Sequence, residues 1–190
     1  TKALMETVSF VFQDTYIFAE SVYDNIAMHQ NVSREEVERA AKAARCHEFI
    51  QSFPEGYNTK LGDGGHKLSG GEAQRIAIAR AILKNAPIVV LDEAMAFTDA
   101  ENELALREGM AELLRGKTVL MIAHRLYSIQ DADRIFVLDN GRLVESGAHK
   151  ELLERNGMYA HLWAIQNETE SWQMKGGKKH VQNDPAVHLS

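Results

Sequence analysis

Residues 68–93 read LSGGEAQRIAIARAILKNAPIVVLDE. Their first part, from Ser69 to about Lys84, has a helical pattern; Pro87 then introduces the continuous apolar run Ile88-Val89-Val90-Leu91. Such a run is typical of a central parallel strand covered on both faces. It ends in two adjacent carboxylates, Asp92 and Glu93. Paired like charges at a sheet edge repel each other unless a cation or proton intervenes. A hard metal ion accounts for the pair better than packing does, although a solvated strand end is the alternative. In that chemistry Asp92 holds Mg²⁺, directly or through water, and Glu93 polarises the water that attacks a γ-phosphate. At the other end of the stretch, Ser69, Gly70, Gly71 and Glu72 place a hydroxyl and two glycines at a helix N-terminus. Unpaired amides of the first turn, the helix dipole and the absence of side chains together suit an anion. Taken alone, the same residues are also a glycine turn with a serine cap.

Working outward, Val8 to Phe12 is β-branched and aromatic, suits a buried strand, and delivers Gln13 at its end. A loop with aromatics follows, from Asp14 to Phe18. From Ser21 to about Phe53 the pattern is helical. Ser21 and Ser33 are placed to cap, Ser33-Arg34-Glu35-Glu36 resembles a capping box, and Pro54 and Gly56 stop the run. The glycine-rich segment from Thr59 to Lys67 reads as a loop. After Glu93 come an amphipathic helix from about Ala100 to Leu114, a strand from Thr118 to Ile122, a short helix from Arg125 and a strand from Arg134 to Leu138. Asn140-Gly141 is a hairpin signal leading into Arg142 to Glu145. Helices are expected from Lys150 to Arg155 and from Met158 to Gln166, and residues 169–190, without apolar periodicity, as a mobile tail. Strand and helix alternate, so the expected fold is α/β with a mainly parallel sheet.

His124 follows the apolar strand TVLMIA, which carries it to the sheet edge where Asp92 and Glu93 lie. Histidine there can donate to a phosphate oxygen or join an attacking-water network. Gln13 reaches the same edge from its own strand, and ligands of open α/β sheets bind at that edge. Each of the two alone reads as a structural histidine and a loop glutamine; their convergence points to chemistry.

Composition sets the frame. The 190 residues are 45% hydrophobic, enough for one compact core. A balance of 27 acidic to 21 basic residues, with both signs scattered, favours no nucleic-acid partner. The single cysteine, Cys46, excludes an internal disulfide and a multi-cysteine metal site, and reads as a small buried apolar residue of a reducing compartment. The other seven histidines lack metal-ligand spacing. No apolar stretch approaches the roughly 20 residues that cross a bilayer. Residues 1–10 lack the features of a secretory signal and read as a start inside a domain. The basic cluster KGGKKH, residues 175–180, reads as solvated.

The order Gln13, LSGGE, VVLDE, Asp99, His124 resembles the ATP-binding cassette family over about residues 7–168. The resemblance implies a P-loop NTPase-like ABC ATPase domain with a helical signature subdomain at about residues 14–84. It makes Gln13 the Q-loop residue that senses Mg²⁺ and the transmembrane domains, and Ser69, Gly70, Gly71 and Glu72 the signature that contacts ATP. Asp92 and Glu93 become the Walker B pair, Asp99 the D-loop aspartate that communicates across a dimer, and His124 the H-loop switch. The implied partners are a second nucleotide-binding domain in a head-to-tail dimer and transmembrane domains, at the cytoplasmic face of the cell membrane. Thr59 to Gly65, TKLGDGG, is similar to the X-loop of exporter-type cassettes, with Asp63 and Gly64 where glutamate and arginine are usual. The D-loop reads Ala96-Phe97-Thr98-Asp99 instead of the common SALD, a departure that bears on dimer coupling and is similar to half-transporters of the siderophore and iron-uptake type.

No G-x-x-x-x-G-K-[ST] occurs in the sequence. In the family that loop lies upstream of the Gln13 strand, so the chain looks cut from a longer polypeptide, and its own residues are expected to bind ATP negligibly. Two alternatives stand beside the transporter: a soluble cassette ATPase of DNA repair or translation, and a non-catalytic truncated module. The acidic balance, the X-loop-like segment and the Q-loop continuing into Ser21-Val22-Tyr23-Asp24-Asn25-Ile26 favour the transporter.

Overall fold

The computed structural model describes the backbone of residues 6–92, 100–123 and 125–176. The chain divides into two compact units, Thr1–Ile122 and Ala123–Ser190.

In the first unit three parallel strands, β1 (Val8–Val11), β2 (Ile88–Asp92) and β3 (Thr118–Ile122), lie in the order β1-β2-β3. Val8 pairs with Ile88 and Val11 with Leu91, while Ile88 pairs with Thr118 and Asp92 with Ile122, so the C-terminal ends of all three strands form one edge. Parallel neighbours need crossovers that carry helices. The crossover from β1 to β2 holds α1 (Val22–Ala27), α2 (Arg34–Ala43), α3 (His47–Ser52) and α4 (Gly70–Lys84), and the one from β2 to β3 holds α5 (Ala100–Leu114). Within β2, Val89 and Leu91 are fully buried, whereas Ile88 and Val90 are half-buried. Burial on both faces was the expectation from the apolar run; among the described residues one face is completely covered and the other partly.

One core joins helices to sheet: Val11, Val22, Ile26, Val37, Ile50, Leu61, Ile76, Ile78, Leu91, Leu106 and Leu113 all belong to it. Its axis is α4, which packs against α1, α2, α5 and β1. That central position explains the composition IAIARAIL, in which several helix faces must be apolar at once.

The helical stretch expected over residues 21–53 is three helices. Met28, His29 and Arg45 adopt left-handed backbone, with φ of 51°, 55° and 57°, and break it. None of the three is a glycine or proline, so no breaker residue marks those ends. The starts are as expected: Ser21 accepts from the Asp24 amide at 3.0 Å, and Ser33 and Glu36 form a reciprocal capping box at 3.2 and 2.7 Å.

The loop at residues 59–67 is pinned to the chain that follows Gln13. Leu61 donates to the Glu20 carbonyl at 2.8 Å and Val22 to the Thr59 carbonyl at 3.0 Å. Gly62 has φ +75°, and a Cβ on Gly65 would stand 2.3 Å from the Lys60 carbonyl oxygen, so the turn needs glycine at both positions.

In the second unit, β4 (Ile135–Asp139) and β5 (Arg142–Gly147) form an antiparallel hairpin. Its turn residues Asn140 and Gly141 both have positive φ, 47° and 75°, as a two-residue primed turn requires. Two helices follow, α6 (His149–Glu154) and α7 (Met158–Gly176). Ile135, Val137, Leu152 and Tyr159 form their common core. The Glu145 carboxylate caps α7 by accepting from the Met158 and Tyr159 amides, both at 2.9 Å. Helix α7 was expected to end near Gln166 and a tail to begin at 169; the helix continues to Gly176. Residues 167–175 contain no glycine or proline to stop it, and the apolar period that fades there is not needed for helical backbone. No described helix is long and apolar enough to cross a membrane.

Candidate active site at the sheet edge

Two of the expected site residues lie toward the C-terminal edge of the sheet, on neighbouring strands. Gln13 lies two residues beyond β1 and is exposed, and Asp92 is the half-buried last residue of β2, the neighbouring strand. They converge because both strands are parallel and in register. Among the described residues the Asp92 carboxylate has no hydrogen-bond or ion-pair partner. A half-buried carboxylate with open lone pairs fits a hard cation such as Mg²⁺, which usually takes one or two protein oxygens and fills its shell with water and phosphate. Glu93, Asp99 and His124 lie outside the described residues. Ile122, the last residue of β3, brings the chain to the same edge two residues before His124.

The signature residues lie at the head of α4. This 15-residue helix is about 22 Å long, and Lys84 at its far end donates to the Val8 carbonyl at 2.6 Å, against the first residue of β1. Ser69 is the N-cap: its hydroxyl accepts from the Glu72 amide at 3.3 Å, and the Glu72 carboxylate accepts from the Ser69 amide at 2.8 Å. The serine-cap reading and the anion reading are therefore compatible, since the cap uses an acceptor lone pair and leaves the hydroxyl proton to donate outward. A Cβ added to Gly70 would meet nothing within 4 Å. Packing among the described residues thus places no demand for glycine there.

Between the sheet edge and the signature helix runs the segment after Gln13, and here the structure reveals residues that the sequence reading passed over. Asn25 is completely buried; its Oδ1 accepts from the Phe18 amide at 2.9 Å and its Nδ2 donates to the carbonyls of Phe18 and Ser21, both at 3.0 Å. Arg80 of α4 joins the same network. Burial lowers its guanidinium from the ordinary value to about 10, so it stays charged at neutral pH. An arginine inside the apolar run IAIARAIL was the available signal. A cleft of about 430 Å³ lies alongside, lined by Phe10, Phe12, Asp14, Tyr16, Phe18 and Arg80 among others. The exposed Phe10 and Phe12 rings stack at 5.7 Å.

Deeper in the helical part, the Arg75 guanidinium lies 5.0 Å from the Phe49 ring centroid, and burial lowers its pKa. Among the described residues no group of three or more His, Cys, Asp or Glu is arranged to hold a metal.

A parallel α/β sheet with Gln13 and Asp92 toward its C-terminal edge, and a glycine-headed helix in its long crossover, belongs to the class of open α/β folds that bind ligands at that edge. The sequence profile of the ABC transporter family matches residues 1–96. The chain belongs to the ABC transporter family. It is 47% identical over 167 residues to YgaD of Bacillus subtilis (strain 168), a protein named for multidrug export as an ATP-binding/permease protein; the match covers 87% of this chain and 29% of that one. An ATP-dependent lipid A-core flippase of Syntrophus aciditrophicus (strain SB) is 50% identical over 165 residues, covering 86% of this chain and 28% of the flippase. Among solved structures, a bacterial Atm1-family ABC exporter with ATP bound superposes with a TM-score of 0.76 at 44% identity, covering 87% of this chain and 29% of the exporter. The chain thus spans less than a third of the length of these relatives.

Proposed function

We propose that these residues are the catalytic edge and signature portion of the ATP-hydrolysing domain of an exporter-type ABC transporter, acting at the cytoplasmic face of a membrane. The observation that carries this reading is that β1, which leads to Gln13, and β2, which ends in Asp92, are parallel neighbours in register, in a chain that belongs to the ABC transporter family. The relatives' names, export and flipping of lipid, support the exporter assignment.

Asp92 and Gln13 would hold Mg²⁺, which would supply neutralisation of charge on the transferring phosphoryl group. Glu93, following Asp92 directly, accepts hydrogen-bonding from the attacking water and orients it toward the γ-phosphate. His124 donates to the phosphate oxygens from the neighbouring strand end. Ser69 and the amides of Gly70 and Gly71 donate to the nucleotide of a second domain. The exposed helix head and the room at Gly70 favour that arrangement, because a group approaching α4 meets main chain first. Two domains then associate head to tail, with Asp99 at their boundary, and the helical part at residues 14–84 presses on transmembrane domains through the cleft beside Phe10 and Tyr16.

In the full-length transporter, Glu93→Gln should abolish ATP turnover while leaving nucleotide-bound dimers intact by size-exclusion chromatography. Near-normal hydrolysis would overturn the role of Glu93.

A further inference from the structure

We propose that Arg80 is a positioning residue that clamps the signature helix α4 to the segment following Gln13, so that displacement of either carries the other. The clamp is built from three hydrogen bonds. The Arg80 guanidinium donates through Nε to the Asn25 carbonyl at 2.5 Å, through one terminal nitrogen to the Tyr16 carbonyl at 2.7 Å, and through the other to Asn25 Oδ1 at 2.7 Å. Asn25 in turn fixes both polar groups of the Phe18 backbone, and the Phe18 ring lies beneath the guanidinium, 5.6 Å from centroid to carbon. All the acceptors are neutral, and among the described residues Arg80 forms no ion pair.

A desolvated cation held without a counter-ion is not placed there for charge attraction. What the site uses is the planar fork, whose fixed donors reach two separate backbone segments at once; a lysine ammonium cannot match that geometry. Arg80 lies eight residues after Glu72 on the same helix, and Tyr16 lies three residues after Gln13. The clamp therefore ties the element that heads with Ser69–Glu72 to the loop that carries Gln13. Resting on the cassette function proposed above, this coupling delivers a movement of the signature helix to the Mg²⁺-sensing glutamine. It acts on turnover rather than on nucleotide affinity.

The test uses the full-length transporter and Arg80→Lys, with Asn25→Ser as a second variant that withdraws Oδ1 from the guanidinium. Hydrogen–deuterium exchange of residues 14–20 should speed up roughly tenfold while residues 70–79 stay unchanged, as expected when one charged-donor network is lost locally. With Mg-ATP, kcat should fall roughly tenfold at nearly constant KM. Neither variant should lower kcat further in a Gln13→Ala background. Unchanged exchange at 14–20, equal loosening of α4, or full additivity with Gln13→Ala would overturn the clamp. A wild-type protein without ATPase activity would instead overturn the cassette function, and the exchange measurement would still decide the clamp.

Discussion

Cys46 precedes α3, donates its thiol to the Ala41 carbonyl at 3.3 Å and is fully buried. Burial pushes the thiol up from its ordinary value of 9.0 to about 12. The unfolded chain ionises first as pH rises, so folded-state stability is complete below pH 9 and declines between 9 and 12. The slope is roughly 1.4 kcal/mol per pH unit within that window. The thiol should therefore resist an aromatic disulfide reagent at pH 8 until denaturant is added; rapid stoichiometric reaction of the native protein would contradict its burial. That this cysteine is a small apolar core residue could be read from its place at the end of a helical stretch. The Arg80–Asn25 network could not, because its partners are 55 residues apart in sequence and neither local pattern, the run from Ser21 to Ile26 or the apolar stretch of α4, shows that the two meet. Single-residue chemistry is legible when the signal is local, and is lost when the meaning lies in who meets whom.

Caps are the most legible feature at the scale of elements. Ser33 with Glu36, and Ser69 with Glu72, form the same reciprocal box, yet only the second is assigned a ligand. Ser33→Ala and Ser69→Ala should each cost about 1 kcal/mol of stability in urea unfolding. Only Ser69→Ala should also lower ATP turnover of the full-length protein; equal turnover in the two variants would reduce the signature serine to a cap. Helix ends were harder to read than helix starts. Met28 and Arg45 take left-handed backbone without glycine, and α7 runs on to Gly176 after its apolar period fades. In both cases periodicity describes which face is buried, whereas hydrogen bonding at the terminus decides where the helix ends. The turn at Asn140-Gly141 was legible because both positions need positive φ and the residue types advertise it.

For the whole molecule, the alternation of apolar strands and helices was sufficient to place Gln13 and Asp92 at one edge, since parallel strands joined by crossovers must end on the same side. Strand order was not written in the sequence. It follows from the pairing of β2 with both β1 and β3, which also leaves Val119, Leu120 and Ile122 of β3 exposed. The place of the signature is likewise a property of the three-dimensional arrangement: a helix of about 22 Å is fastened at Lys84 to the start of β1 and carries Ser69–Glu72 at its other end. The central proposal is that the edge serves the chain's own nucleotide and the signature serves a partner's. The direct test joins two full-length halves in tandem and measures ATP hydrolysis with Ser69→Arg and Glu93→Gln placed either in the same half or in opposite halves. Changes in opposite halves leave one complete site and should retain turnover, whereas both changes in one half spoil both sites and should abolish it. Turnover that survives only with both changes in the same half would contradict the account.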